Sequence, residues 1–143
     1  IELAADSVGA RVLILDNLSA LTSMADLTKT SDSIQLMGLL NEMKKRGYSI
    51  LIIDHCRKPA QEGEFKAISK HDLQGSKMKS NLVDSVFSIG KSWQGEDMRY
   101  LKGLKIRSFE PDFTKNSVAT LQIKPEPLRI DYIGRGAEWE HVN

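Results

Sequence analysis

The chain has 143 residues, of which 41% are hydrophobic and 27% are charged, and its formal net charge is +1. This composition is typical of a folded globular domain and argues against a disordered chain. A net charge so near zero gives no overall attraction to nucleic acid or to a membrane, so any such contact must be local. Cys56 is the only cysteine, which rules out an intrachain disulfide and fits a reducing cytoplasm.

The chain is long enough to form one domain with a hydrophobic core, and we expect a single domain over residues 1–143. Its longest wholly apolar runs, Val12–Leu15 and Ile50–Ile53, are far too short to span a bilayer, so no membrane contact is expected. There is no signal-peptide pattern. The first residue is Ile1 rather than Met, which suggests a piece of a longer protein.

The first elements in chain order are a helix, a strand and a second helix. We expect the first helix to end near Gly9, and Arg11–Leu15 to form a strand buried on both faces, because its apolar residues do not alternate with polar ones. Residues 23–32 are polar and predict a loop. A second helix follows, and Gly47 suits the position just after its end. Its apolar stripe consists of Ile34, Met37, Leu40 and Met43.

The next elements predict a parallel sheet. Ser49–Ile53 is a second apolar strand, and a strand, a helix and a strand at this spacing form a βαβ crossover. Residues 57–75 predict a long loop. A short helix ending at about Leu82 then leads into a third strand, Val83–Ile89.

The pattern changes after this third strand. Three further strands joined by turns are expected, which predicts an antiparallel extension of the parallel sheet within an α/β fold. Residues 108–143 then form an antiparallel hairpin and a tail. The three strands are Met98–Arg107, Val118–Lys124 and Leu128–Ile133.

Polar residues follow the first two strands at the point where each strand ends. Ligands of open α/β sheets collect at the carboxyl ends of the parallel strands, where Asp16, Asn17 and His55 are therefore candidate nucleotide contacts. An acid there can hold Mg²⁺. The structural alternative is that Asp16 caps a turn and that His55 is merely hydrogen-bonded in the sheet.

A second candidate is the pair Lys105 and Arg107 in "YLKGLKIRS". Residues two apart in a strand face the same way, so both cations share one face. Two adjacent cations suit an anion such as a triphosphate, with Arg as a planar fork and Lys as a point charge. The alternative is the solvated face of an edge strand, where Lys also discourages aggregation.

The segment 57–79 carries local positive charge, with six basic and three acidic residues. A long basic loop can follow a phosphate backbone, although an exposed loop without that role fits the charge equally well. The basic residues are Arg57, Lys58, Lys66, Lys70, Lys77 and Lys79.

A phosphate-loop sequence is absent from the chain. "DSVFSIGKS" ends like G-x-x-x-x-G-K-[ST], but Ser85 stands where the first glycine is required. The residues between predict a strand rather than a glycine-rich nest of N–H groups. The Gly90–Lys91–Ser92 sequence is therefore not a phosphate-binding loop.

Five segments in this order resemble the second half of a RecA-like P-loop NTPase core. They are "VLILDNLSAL", "ILIIDHCRKP", the basic loop, "DLQGSKMKSNLVDSVFSIG" and "LKGLKIR". The order and spacing are similar to those of hexameric replicative helicases and related ATPases of plasmids and mobile elements. The resemblance covers roughly Val12 to Arg107. It implies a partial RecA-like fold, a homo-oligomeric ring, and ATP and Mg²⁺ as ligands of the full-length protein.

The resemblance also implies roles for the candidate residues. Asp16 resembles the Walker-B acid that orients Mg²⁺, and His55 matches the polar sensor of the γ-phosphate. Lys105 and Arg107 match the K-x-R pair that reaches a neighbouring subunit's ATP site, with the Arg as a finger. The loop up to Gly75–Ser76 matches the one that lines a channel around single-stranded DNA. Its expected DNA contacts are Arg57, Lys58, Lys66, Lys70 and Lys77.

These implications lead to one expected function and one alternative. The first is the C-terminal part of a ring-forming ATPase that acts on single-stranded DNA in replication or mobilisation, with the Walker-A loop on a preceding segment. The isolated chain is then expected to be inactive in ATP hydrolysis. The alternative is a RecA-like domain without catalysis that binds DNA or a protein partner.

Overall fold

A computed structural model describes residues 2–17, 30–56, 64–73, 78–107 and 110–143, with the side chains of residues 30–33, 78 and 79 left out. Three helices, six strands and two short 3₁₀ turns lie in these ranges. The helices are α1 Glu2–Ser7, α2 Thr30–Lys45 and α3 Met78–Leu82, and the strands are β1 Val12–Asp16, β2 Ser49–Ile53, β3 Ser85–Lys91, β4 Met98–Ile106, β5 Val118–Lys124 and β6 Arg129–Gly136. The 3₁₀ turns are Lys70–Asp72 and Glu138–Glu140.

The chain divides into two compact units. The first unit comprises Ile1–Arg57 and His71–Leu82, and the second comprises Lys58–Lys70 and Val83–Asn143. Each unit contains its own sheet. No helix in the part of the chain that the structure describes is both long enough and apolar enough to cross a membrane.

The first unit contains the expected βαβ crossover. β1 and β2 are parallel and pair without a register shift, from Val12 opposite Ser49 to Asp16 opposite Ile53. The helix α2 connects them and contacts β2. The predicted apolar stripe on α2 is confirmed for Met37, Leu40 and Met43, which are buried, whereas Ile34 is exposed in the first half of the helix.

The end of α2 shows why Gly47 follows it. Gly47 has a φ of +91°, a conformation that disfavours residues with a Cβ atom. Its N–H donates to the Lys44 carbonyl at 3.0 Å, and the Tyr48 N–H donates to the Met43 carbonyl at 3.2 Å, which is the Schellman pattern. The Tyr48 and Met43 side chains are both buried beside this turn. The predicted end of the helix is confirmed.

The prediction that β1 is buried on both faces is wrong. Val12 and Ile14 are 67% and 63% exposed, and Leu51 and Ile53 on β2 are also exposed on the same face. Leu15, on the opposite face, is buried. Within the described residues, α2 packs against this pair of strands and leaves the face of Val12 and Ile14 exposed, so an uninterrupted apolar sequence does not ensure burial on both sides.

The second unit contains a four-stranded antiparallel sheet with the order β3-β4-β5-β6. The strands predicted at 98–107 and 118–124 are confirmed, and the last strand begins and ends slightly later than expected. A parallel pair and an antiparallel sheet are both present, as expected for the α/β class. They do not form one mixed sheet in the described ranges, because β3 pairs with β4 across the short connection 92–97.

The two faces of this antiparallel sheet differ in burial. Gly90 pairs with Tyr100 and Ser88 pairs with Lys102, and all four residues are buried on one face. Phe87 and Ile89 lie on the opposite face and are exposed. Residues 137–143 account for the burial, since their side chains contact Tyr100 and Lys102. The core of the second unit therefore lies between one sheet face and this C-terminal segment.

Both tryptophans of the chain belong to the second unit and lie outside this core. Trp93 follows β3 and is 57% exposed, and Trp139 in the 3₁₀ turn is 72% exposed. Their backbones nevertheless belong to ordered segments, since the Trp93 N–H donates to the His141 carbonyl at 3.2 Å.

Candidate functional site

The polar ends of β1 and β2 lie at the same edge of the parallel sheet. Asp16 is opposite Ile53 in the register, so Asn17 and Asp54 leave the sheet side by side. Asn17 Nδ2 lies 3.1 Å from His55 Nε2, which is hydrogen-bonding distance. In the neutral tautomer that carries its proton on Nδ1, the unprotonated Nε2 can accept a hydrogen bond from the Asn17 amide. The expectation that these two strand ends meet is confirmed.

Asp16 presents its carboxylate at this edge. The residue is exposed, and the peptide bond between Asp16 and Asn17 is cis. Mg²⁺ usually keeps several waters and takes one or two carboxylates together with phosphate oxygens. A single accessible carboxylate therefore fits a Mg²⁺–nucleotide complex. Within the described ranges, no group of three or more His, Cys, Asp or Glu residues could hold a metal on its own.

The base of the predicted DNA loop closes directly after His55. Cys56 forms an isolated antiparallel bridge with Leu73, so the chain leaves and returns at one point of the first unit. Burial raises the pKa of the Cys56 thiol, and the negative charges of Asp72 and Asp54 raise it further. The thiol therefore stays protonated at neutral pH and is a poor nucleophile there.

The second unit contains the cationic pair. Lys105 is near the end of β4, and Arg107 follows it, with its N–H donating to the Asp84 carbonyl at 3.1 Å. Burial lowers the pKa of the Lys105 ammonium, the positive charges of Arg107 and Lys70 lower it further, and Asp84 raises it. Lys70 from the basic loop therefore belongs to the same electrostatic environment as the pair. Beyond one β-bulge, Lys105 pairs with Val86.

The remaining predicted DNA contacts are only partly described. Lys66 and Lys70 lie in the described segment 64–73, and both are exposed. Three other predicted DNA contacts and the "GS" that ends the loop lie outside the described residues. These are Arg57, Lys58, Lys77 and Gly75–Ser76.

The structure explains the Gly90–Lys91–Ser92 sequence without a phosphate. Gly90 and Lys91 are part of β3, and a Cβ atom at Gly90 would overlap the Tyr100 ring. Ser92 is buried, and its Oγ lies 2.9 Å from His141 Nδ1. The aromatic ring on the neighbouring strand requires the glycine, and the strand predicted through these residues is confirmed from Ser85 to Lys91.

A buried polar cluster in the second unit was not expected from the sequence. Lys102 and Glu138 form an ion pair in which both side chains are 9% exposed. His141 is buried, stacks on Tyr100 with ring centroids 5.2 Å apart, and has its Nε2 3.3 Å from Thr120 Oγ1. Burial lowers the pKa of His141, whereas the charges of Glu140 and Glu138 raise it. One signal was available: Lys102 alternates in phase with Tyr100, which places a charge on the buried face.

Comparison with known proteins adds no family to this picture. Neither the protein-family models nor the curated proteins give a match to the chain.

Proposed function

We propose that the chain is the C-terminal part of a RecA-like, ring-forming ATPase that couples ATP hydrolysis to binding or translocation of single-stranded DNA. The biological setting would be replication or mobilisation of a plasmid or mobile element. The observation that carries the proposal is the 3.1 Å contact between Asn17 and His55, beside the exposed carboxylate of Asp16. Two polar side chains that follow neighbouring parallel strands meet, next to Asp16 in the chain, where α/β folds bind ligands.

Each residue at this edge has a role in the proposal. Asp16 binds Mg²⁺ directly or through a water, and the bound MgATP supplies the phosphoanhydride bond whose cleavage drives the motor. His55 would contact the γ-phosphate, and its 3.1 Å contact with Asn17 would restrict the orientation of the imidazole ring.

The connection between His55 and the loop supports coupling to DNA. Only one peptide link separates His55 from Cys56, which pairs with Leu73 at the base of the loop. A change in the position of His55 on loss of the γ-phosphate would therefore move both ends of the loop together. In this proposal the loop carries the single-stranded DNA contacts, among them Lys66 and Lys70.

Lys105 and Arg107 act in trans in this proposal, on the nucleotide of the next subunit in a hexameric ring. Arg107 would stabilise the charge that develops on the transferred phosphoryl group. The support is electrostatic: burial lowers the pKa of Lys105 most, the positive charges of Arg107 and Lys70 lower it further, and Asp84 raises it. Such a cluster of positive charge is stabilised by a polyanion.

The test is ATP hydrolysis by the complete gene product, with and without single-stranded DNA, beside an Asp16→Asn variant. We expect DNA-stimulated turnover that falls by at least about a hundredfold in the variant, because the amide cannot replace the anionic ligand. Asp112→Asn is the matched control, since Asp112 is an exposed acid paired with Arg135 in the second unit. Equal turnover by the parent protein and Asp16→Asn would contradict the metal role.

A second function is favoured by one observation: the 143 residues contain no phosphate loop. The domain would then bind DNA or a protein partner without catalysis, and the isolated chain is predicted not to hydrolyse ATP under either function. The same assay separates the two. Absence of turnover by the complete gene product, together with retained binding of oligothymidylate, would favour the non-catalytic domain.

A further inference from the structure

Residues 137–143, here called the strap, form two reciprocal hydrogen bonds with the basic loop. The Asn143 N–H donates to the Phe65 carbonyl at 3.1 Å. In return, the Phe65 N–H donates to Asn143 Oδ1, also at 3.1 Å. One asparagine therefore satisfies both backbone groups of Phe65, as a neighbouring strand would do.

The strap is itself firmly held on the second unit. Its Glu138 side chain pairs with Lys102, and its His141 side chain is buried against Tyr100. The backbone is held as well. Glu138 N–H donates to the Lys115 carbonyl at 2.9 Å, and the Glu140 carbonyl accepts from Gln94 Nε2 at 2.8 Å.

We propose that the strap positions the DNA-binding loop, with Asn143 as the positioning residue that fixes Phe65 and, through it, the exposed Lys66. The inference rests on the proposed function, since it assigns a control element to the same loop. Its basis is the pair of reciprocal hydrogen bonds at Phe65.

The expected benefit to binding is preorganisation. A loop that is ordered before DNA arrives loses less conformational entropy on binding. Lys66 is the residue next to the hydrogen-bonded Phe65 and is exposed, so the position of its backbone is restricted by the strap. Asn143 need not touch DNA to act in this way, and its effect passes through Phe65.

Two variants of the full 143-residue chain test the proposal. Asn143→Leu removes the acceptor for the Phe65 N–H, whereas Asn143→Asp retains an oxygen acceptor at the same position. Hydrogen exchange of the Phe65 amide should be about fivefold faster in the Leu variant and close to the parent rate in the Asp variant. The Kd for a fluorescein-labelled oligothymidylate at low salt should rise by about three- to tenfold in the Leu variant only.

Trp139→Ala is the control, since Trp139 is an exposed side chain on the same strap and should change neither quantity. If the Phe65 amide of the Asn143→Leu variant exchanges at the same rate as in the parent protein, the proposal is overturned. Faster exchange with an unchanged Kd overturns it equally, because the strap then orders the loop without affecting DNA. Failure of the proposed function has a different signature: the parent and all variants bind no oligothymidylate, while the difference in exchange persists.

Discussion

The two units use polar side chains in opposite ways. In the first unit, Asp16 and His55 are exposed at the ends of parallel strands and Asn17 is half-buried beside them. In the second, Lys102 is buried beneath the strap, where it pairs with Glu138, and His141 is a buried residue of the strap itself, within hydrogen-bonding distance of Ser92. Similar residue types therefore have different roles, and burial decides which role applies. An exposed polar cluster at a strand end is available to a ligand, whereas a buried and satisfied one determines packing.

The comparison predicts that stability and ligand binding respond to different substitutions. Changes in the buried cluster should alter the free energy of unfolding of the second unit. Changes at the exposed strand ends should leave that free energy almost unchanged and, under the proposed function, alter ATP hydrolysis. Four measurements test this division, beginning with the largest expected effect.

Glu138→Leu should have the largest effect, because it leaves the Lys102 ammonium buried without its carboxylate. We expect a loss of about 3–5 kcal/mol in the free energy of unfolding, measured by urea denaturation with circular dichroism. The double variant Lys102→Met with Glu138→Leu should recover most of this loss, since an apolar pair replaces the ion pair. A loss below about 1 kcal/mol in the single variant would mean that the ammonium finds another partner or water.

Gly90→Ala should have the next largest effect. The added Cβ overlaps the Tyr100 ring, which is fully buried and stacked on His141, so the ring cannot move freely. We expect a loss of about 2 kcal/mol by the same measurement. Gly38→Ala in α2 is the matched control, with nothing within 4 Å of the new Cβ. Gly38→Ala should instead stabilise the helix by up to about 1 kcal/mol. A loss of stability in Gly38→Ala would contradict the conclusion that the Tyr100 ring is what excludes a Cβ atom at Gly90.

The pH dependence of stability should reflect His141. Burial holds the folded-state pKa of His141 below the ordinary histidine value of 6.5, so the folded state favours the neutral ring. The stabilisation is complete above that value and falls as the pH drops through it toward the folded-state pKa. The charges of Glu140 and Glu138 on the strap act in the opposite sense on the ring and raise its pKa.

Unfolding midpoints between about pH 8 and pH 5 would measure this dependence. The parent chain should lose stability toward the acidic end. His141→Gln should lose less over the same interval, because the substituted group does not titrate. Parallel pH profiles for the two proteins would show that His141 does not control acid stability.

Asp16→Asn should have the smallest effect on stability, within about 0.5 kcal/mol of the parent. The residue is exposed at the end of β1, so no buried partner is lost. Thermal unfolding of Asp16→Asn and Glu138→Leu side by side compares the exposed strand end directly with the buried cluster. A large loss for Asp16→Asn would mean that Asp16 is a structural cap, which is the alternative reading of its sequence position.

Local patterns predicted most of the elements. The three-residue spacing and Gly47 located α2 and its end, and β2 and β5 agree with the sequence boundaries. Sheet assembly was harder to predict. The sequence of Val83–Ile89 carries no information about its partner, and the partner turned out to be β4 through a short connection. The exposed face of β1 likewise depends on what covers it and not on its own residues.

The candidate site also has a part that could be predicted from the sequence and a part that could not. Strand-end positions follow from the βαβ topology, so the meeting of Asn17 and His55 could be predicted from the sequence. The strap could not. Asn143 and Phe65 are far apart in the sequence, and no periodicity connects them. Contacts of this kind depend on the tertiary fold, as does the burial of His141.

The placement of the two tryptophans decides what a spectroscopist can see. Trp93 and Trp139 are the only indoles in the chain, both belong to the second unit, and both are already largely in water. Intrinsic tryptophan emission therefore changes little on unfolding and carries no signal from the parallel sheet. Tyr48 is buried in the first unit, beside the end of α2. A Tyr48→Trp substitution would place an optical reporter there, so that melting of the first unit could be followed against the small background change of the second.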